Sequence, residues 1–236
     1  MTQFTYQERF KTLKGVFDEF TNRTLFELQS RGHFDELISP VLVGKESNVF
    51  LASSGKDKVI VKIYRIQNAD FNRMFEYIKK DPRYDFLQKH RRQIILAWTQ
   101  REYKNLVRAQ EAKIRVPEAM VFMNHILVEE MIGDDEPAPM LKNAKPKDAK
   151  KFFALIIEDM KKLYERGLIH GDLSPFNILN HQEKPYFIDF SQATLVKTPN
   201  SEELLQRDVK NIVQFFSKLG VKENETEILY KITKKD

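Results

Sequence analysis

The chain of 236 residues has no cysteine. That excludes disulfides, thiolate metal centres and a cysteine nucleophile, and it suits a reducing compartment. No apolar run approaches the ~20 residues needed to span a bilayer, so no membrane partner is expected. The opening stretch, Met1 to Glu8, lacks a basic start followed by an apolar core, so a secretory signal is not expected and a cytoplasmic protein is. The five histidines, His33, His90, His125, His170 and His181, lack metal-ligand spacing. Internal repeats and low-complexity tracts are absent.

What is present describes a folded chain of one domain, or of two lobes around a cleft. A hydrophobic share of 42% is enough for a substantial core. The formal charge of +5 and pI of about 9.1 are a mild basic bias rather than a nucleic-acid tail. Basic residues cluster at Lys79-Lys80, Lys89 to Arg92, Lys145 to Lys151, Lys161-Lys162 and Lys231 to Lys235. Such clusters are ordinarily solvated faces; a patch facing RNA or a ribosomal particle is the alternative.

Along the chain, Phe10, Leu13, Phe17, Phe20, Leu25 and Leu28 recur at helical spacing over 6–28, with Gly32 as the stop. Pro40 to Val43, Ser47 to Leu51 and Lys58 to Tyr64 read as three short antiparallel strands. Residues 68–90 are polar with scattered aromatics and carry no clear pattern. A long helix is expected over 91–112, then a hairpin of Ala119 to Phe122 and Ile126 to Glu130. Gly133 to Pro137 breaks the pattern, which divides the chain into 1–132 and 133–236. A helix from Pro146 to Arg166 follows, with Phe152, Phe153, Leu155, Ile156, Met160 and Leu163 inward and Gly167 as its cap. Helices are expected again over 201–219 and 223–231.

The stretch from Leu168 to Ala193 organises the rest. His170, Asp172, Leu173 and Asn177 fit the His-x-Asp-Leu-x-x-x-Asn catalytic loop of the protein-kinase-like fold, and Asp189-Phe190 supplies the metal-holding Asp with its Phe. The spacing has a chemical reason. Asp172 must reach the hydroxyl that attacks a γ-phosphate, and Asn177 and Asp189 must reach one divalent ion. Ile178-Leu179 and Tyr186-Phe187-Ile188 would be hairpin strands, with His181 to Lys184 as their turn. An acidic surface loop is the alternative, and two consecutive matching elements weigh against it.

Two features upstream would grip phosphate. Gly44 lies between strands, where backbone can approach an anion closely, although a lone glycine is also an ordinary hairpin residue. Lys62 stands in the apolar strand Val59 to Tyr64, where a cation is costly to bury unless an anion meets it. In kinases a strand Lys of this kind reaches the α- and β-phosphates and pairs with a helix Glu. Glu102 is the candidate partner, its alternative being an exposed helix charge.

With these residues in view, the chain resembles the RIO family of atypical serine/threonine protein kinases, in the short archaeal-like form of the type-one subgroup. The likeness rests on Gly44-Lys45-Glu46-Ser47-Asn48-Val49-Phe50, Val61 to Tyr64, Asp81 to Tyr84, Trp98 to Leu106, Glu130 to Gly133, His170 to Leu179, Ile188 to Ala193 and Arg207 to Asn211. It covers roughly 20–221, and no space is expected for the amino-terminal winged helix of the type-two subgroup. The resemblance implies a two-lobed α+β protein-kinase-like fold: a small antiparallel-sheet lobe and a reduced, mostly helical C-lobe. It implies Asp172 as base, Asn177 and Asp189 as Mg²⁺ ligands (Mn²⁺ as an alternative ion), and Asp189 also as a phosphate acceptor. It implies that Gly44 to Val49, Lys62 and Glu102 serve ATP, that the backbones of Glu130 and Ile132 hold adenine, and that Asp208 braces the catalytic loop. Leu42-Val43 replace the family's Ser-Thr, and Ser191 replaces the Gly of Asp-Phe-Gly, as is ordinary in this family.

The resemblance also implies ATP and a precursor of the small ribosomal subunit, protein and rRNA together, as partners, with a monomer favoured. Residues 190–236 contain no Ala-Pro-Glu element and are too few for the peptide platform of ordinary kinases, so substrate choice is expected to lie with a large partner. Two other readings stand beside this one. A small-molecule phosphotransferase of the aminoglycoside or choline kinase kind shares His-Gly-Asp-Leu and Asn, and a non-catalytic nucleotide-gated binding module would share the ligands.

Overall fold

The computed structural model describes residues 16–66 and 70–234. In chain order its elements are α1 (Glu19–Ser30), β1 (Glu36–Val43), β2 (Ser47–Ser54), β3 (Asp57–Tyr64), α2 (Phe71–Ile78), α3 (Arg91–Glu111), β4 (Ala119–Met123) and β5 (Ile126–Glu130). There follow α4 (Ala149–Glu165), β6 (Leu168–Ile169), β7 (Ile178–His181), β8 (Lys184–Phe187), β9 (Thr194–Leu195), α5 (Ser201–Ser217) and α6 (Glu225–Thr233). Short 3₁₀ turns occupy Pro82–Tyr84 and Phe190–Gln192. None of the described helices is long and apolar enough to cross a membrane. The chain forms two compact units. The first comprises the described parts of 1–78 with 86–103 and 119–131; the second comprises 79–85, 104–118 and the described part of 132–236.

The first unit is a five-stranded antiparallel sheet in the order β1-β2-β3-β5-β4. Side chains alternate across a strand, and Phe50, Ala52, Val59, Val61, Ile63, Ile126 and Val128 bury one face under α1, which contributes Leu25 and Leu28. Burial of each of the larger of these side chains stabilises the fold by about 1.5–3 kcal/mol. Of the helix expected over 6–28, residues 6–15 lie outside the described residues, and the rest is not continuous. Asp18 is extended and its carboxylate accepts the Thr21 N–H at 2.8 Å, so α1 begins at Glu19. Gly32 ends it with φ +75°, its N–H on the Gln29 carbonyl. The first strand begins at Glu36, earlier than its proline implied; β1 is an edge strand, where Pro40 leaves no ladder bond unmade inside the sheet.

The second unit is mostly helical. α4 packs against α6, β6 and β8, and α5 packs against α6. Phe216 of α5 sits 6.3 Å from the Phe152 ring and 5.4 Å from the Phe153 ring. α4 starts at Ala149 rather than Pro146, because Asp148 caps it by accepting the Lys151 N–H at 2.9 Å. Leu155 is only half-buried, whereas Asp159 on the inward side is wholly buried. The expected hairpin after the catalytic loop is present, with a shorter turn. His181 and Lys184 are paired strand residues, and Gln182 and Glu183 alone make the turn, with φ of +52° and +60°. Ile188 lies beyond the strand.

Candidate functional site

In the first unit, Lys62 and Glu102 lie on the face of the sheet away from α1. Lys62 is on β3, between Val61 and Ile63, whose side chains point into the core. Its ammonium donates to Glu102 Oε1 at 2.7 Å, with side-chain exposures of 7% and 0%. Tyr64, two residues along the same strand face, donates its hydroxyl to Glu102 Oε2. Glu102 is therefore not an exposed helix charge. An interior carboxylate is stable in this form only because a cation and a phenol meet it.

The turn before β2 is tight. The Gly44 N–H donates to the Ser47 carbonyl at 2.9 Å, leaving Lys45 and Glu46 as the loop. A Cβ on Gly44 would stand 2.8 Å from the Ser47 oxygen, so this position tolerates glycine alone. Val49 pairs with Lys62 across the ladder, so Ser47 and Val49 share the Lys62 face. The Asn48 side chain points the other way, into the core beside Phe50, and is wholly buried without a hydrogen-bond partner among the described residues. What Asn48 can offer a nucleotide is its backbone. Glu130 closes β5, paired with Val59.

In the second unit, Ile132 is buried and its carbonyl accepts the Ala138 N–H at 2.7 Å. The catalytic-loop motif here is a held loop. Asp208 of α5, wholly buried, accepts the Gly171 N–H at 2.7 Å and the Leu173 N–H at 2.8 Å, one with each oxygen. Those two donors flank Asp172, so the brace implied by the family resemblance is present. Burial pushes the Asp208 carboxyl up to about 8, against the two N–H donors and Arg207, which favour its ionised form. His170 packs at a tilt against Phe190, 4.7 Å between ring centres, and its Nε2 lies 3.0 Å from the Ile188 carbonyl.

Asn177 donates through Nδ2 to the Asp172 carbonyl at 2.8 Å and lies 3.4 Å from Asp172 Oδ2. With its nitrogen committed there, Oδ1 is the atom of the amide that could hold a metal. The Ile188 N–H donates to the Asn177 carbonyl at 3.0 Å, which ties the segment leading into Asp189 to the catalytic loop. Asp189 has φ +62° and ψ +68°, and Ser191 Oγ donates to its Oδ1 at 2.7 Å. A non-glycine residue in the left-handed region is uncommon, and outside a tight hairpin turn it makes Asp189 a candidate for a functional position. No cluster of three or more His, Asp or Glu suited to a metal exists among the described residues. An amide oxygen with one carboxylate is the kind of sparse set that suits Mg²⁺, which keeps waters and takes phosphate oxygens for the rest.

Three residues near Asp172 escaped the sequence reading as individuals. Gln192 donates Nε2 to Asp172 Oδ2 at 3.1 Å, Arg207 donates to the Gly171 carbonyl with its Nη2 3.8 Å from Asp172 Oδ1, and Asn105 holds the carbonyls of Phe190 and Ala193 at 3.0 and 2.7 Å. All three stand inside stretches that carry the family resemblance, but nothing in their spacing says which polar group each one meets.

A sequence profile of the RIO domain matches residues 48–229. The RIO-type serine/threonine-protein kinase Rio1 of Methanocaldococcus jannaschii is 43% identical over 233 residues, which cover 98% of this chain and 80% of that protein. Its counterpart in Haloferax volcanii is 38% identical over 215 residues, covering 90% and 74%. Among solved structures, the Rio2 kinase of Chaetomium thermophilum in an ADP/Mg²⁺-phosphoaspartate complex superposes with a TM-score of 0.70 at 23% identity, over 91% of this chain and 66% of that one. The likeness carries the fold, and the expected kinase-like α+β architecture is borne out.

Proposed function

Since the chain belongs to the RIO family of serine/threonine protein kinases, we propose that it uses ATP with Mg²⁺ to phosphorylate serine or threonine hydroxyls during maturation of the small ribosomal subunit. The observation that carries the reading is the held loop: Asp172 flanked by two N–H groups on Asp208, with Asn177 tied to its carbonyl. Asp172 accepts the proton of the attacking hydroxyl; the hydroxyl oxygen bonds to the γ-phosphorus, and the bond to the β-phosphate oxygen breaks to release ADP. Lys62, fixed by Glu102, neutralises the α- and β-phosphates, and the backbone of Gly44 to Val49 covers them. At Ile132 the carbonyl is already taken by Ala138, so adenine recognition there falls to the N–H, with the Glu130 backbone as its companion. Bound Mg²⁺ would supply charge neutralisation at the phosphates; Asn177 Oδ1 and the Asp189 carboxylate would hold it.

Asp172→Ala and Asp189→Ala are each expected to abolish release or transfer of the γ-phosphate, and Asp189→Ala also to weaken Mg²⁺-ATP binding, measured on purified protein with labelled ATP. Wild-type turnover in either variant would defeat the assignment. The C. thermophilum relative carries a phosphoaspartate, and on that likeness Asp189 is assigned the same acyl phosphate, detectable by its lability to hydroxylamine. The ribosomal setting is supported by kinship with Rio1 kinases and by exposed basic residues such as Lys89, Arg91, Arg92 and Lys145. Co-sedimentation with small subunits in ATP against ADP tests it, and indifference to the nucleotide would count against a nucleotide-controlled association.

A further inference from the structure

A chain of polar contacts within the second unit runs from a turn remote in sequence to the carboxylate of Asp172. It begins at Asp81, wholly buried, whose oxygens accept Arg83 Nε at 2.9 and 3.1 Å. Arg83 Nη1 donates to Asn105 Oδ1 at 3.0 Å. The two Nδ2 protons of Asn105 go to the carbonyls of Phe190 and Ala193, which bracket Gln192. Every polar group of the Asn105 amide is thus committed. Its orientation is unambiguous, since the flipped amide would set its oxygen against two carbonyls and its nitrogen against a guanidinium. Gln192 then donates Nε2 to Asp172 Oδ2.

The other end of the Gln192 amide is telling. Gln192 is 7% exposed, and its Oε1 is buried without a hydrogen-bond partner among the described residues. An unmet buried acceptor costs stability, and an apolar side chain of similar shape would avoid that cost. The amide is therefore unfavourable at one end and useful at the other. We propose that Gln192 is a positioning residue for Asp172, and that the Asp81–Arg83–Asn105 relay sets the turn from which it acts. Holding Oδ2 fixes the plane of the Asp172 carboxylate, and with it the direction in which Oδ1 meets the incoming hydroxyl. The inference rests on the reading of Asp172 as the base.

Gln192→Leu keeps the bulk and removes the N–H. The expected result, with labelled ATP and casein as the acceptor, is a fall in kcat of about 10–100-fold, the order that misplacing a reacting group costs. KM for ATP and the urea unfolding midpoint should be unchanged, or the midpoint raised; a space-filling role would lower the midpoint and spare kcat. Gln192→Glu, which opposes Asp172 with a second carboxylate, should lower kcat further. Arg83→Met is the independent arm, because it loosens Asn105 without touching the loop; about a threefold to tenfold fall in kcat at constant KM is expected. Asp172→Ala is run beside them. If it leaves turnover intact, the reading of Asp172 fails. If it abolishes turnover while Gln192→Leu keeps the wild-type kcat, this inference alone is overturned. If Gln192→Leu does not fold, a wild-type kcat in Arg83→Met overturns it.

Discussion

Lys62 and Asp172 are both held in place, but by different means. In the first unit the ammonium meets a side chain, Glu102, which also accepts from Tyr64, all three on the sheet face opposite the apolar core. In the second unit the catalytic-loop motif and the turn after Asp189 are fixed by side chains that grip backbone, Asp208 on the N–H groups of Gly171 and Leu173, Asn105 on the carbonyls of Phe190 and Ala193. A contact between two side chains can be removed at both ends by substitution. A contact onto backbone cannot, since the peptide group remains after any change. Strand geometry already fixes where the Lys62 side chain begins, whereas a loop has no ladder of its own and must borrow its rigidity from buried polar groups.

That difference gives the largest expected effect. Glu102→Leu removes the buried carboxylate that meets Lys62 at 2.7 Å, and breaking a buried pair from one side costs about 3–5 kcal/mol. The triple variant Lys62→Met, Glu102→Leu, Tyr64→Phe removes all three of these polar groups together and should recover most of that loss, though not turnover. Asp208→Leu should cost about 3 kcal/mol through two backbone N–H groups left unmet in the interior, and no second side-chain substitution should recover it. Urea unfolding of each variant is the measurement. Recovery of Asp208→Leu by a neighbouring substitution would erase the distinction.

Acid should separate the two units in sign. His125, in the first unit, is wholly buried, with Nε2 3.0 Å from Thr21 Oγ1; burial lowers it to about 4, Asp18 opposing and Arg92 assisting. Its folded value lies below its unfolded value, so the unfolded chain takes up the proton first. Stability of the first unit is then lost as pH falls from 6.5 to 4, by up to about 3 kcal/mol. In the second unit burial raises Asp159 to about 6 despite Arg115 at 2.6 Å, and raises Asp208 to about 8. Here the folded state keeps the proton longer, so these two groups favour the fold increasingly as pH falls from 8 towards 3.8. Hydrogen exchange between pH 7 and 4.5 should show β4 and β5 opening more easily and α4 and α5 less so. His125→Gln should remove the first trend and leave the second.

The same contrast explains what could be read in the sequence. Lys62 was legible because a lone cation in Val59 to Ile63 has no apolar reason to be there, and the helix α3 showed in its periodic Ile94, Ile95, Trp98 and Leu106. Asp159 was hidden, because an acidic residue between Glu158 and Met160 looks like part of the wet face of α4; its cation, Arg115, lies 44 positions earlier. Asp172 and Asn177 were legible as a motif, whereas Gln192 and Asn105 act over separations of 20 and 85 residues, which no periodicity encodes. Within the stretch expected as a helix over 6–28, Asp18 is extended and its carboxylate caps a helix that begins at Glu19, a local hydrogen bond that the hydrophobic spacing does not show.

The smallest effect concerns the hairpins. The β4–β5 turn of the first unit places Asn124 at φ +53°, a conformation Asn accepts readily, and its Nδ2 also donates to Thr24 Oγ1 at 3.1 Å. The β7–β8 turn of the second unit places Gln182 and Glu183 in the same region, and neither side chain is suited to it. Glu183 has a compensating contact, accepting the Lys147 N–H at 2.7 Å; Gln182 has only a long one, 3.3 Å to Asp134. Gln182→Asn should therefore stabilise the second unit by about 0.5–1 kcal/mol, while Asn124→Ala should destabilise the first by about 1 kcal/mol. Gln182 bonds to Asp134 and Asn124 to Thr24, neither of them a residue assigned to the reaction, so kcat should not change in either variant. A loss of stability in Gln182→Asn would mean that the weak contact to Asp134 outweighs the backbone conformation, and that the second unit relies on side-chain ties even where a tight turn alone would serve.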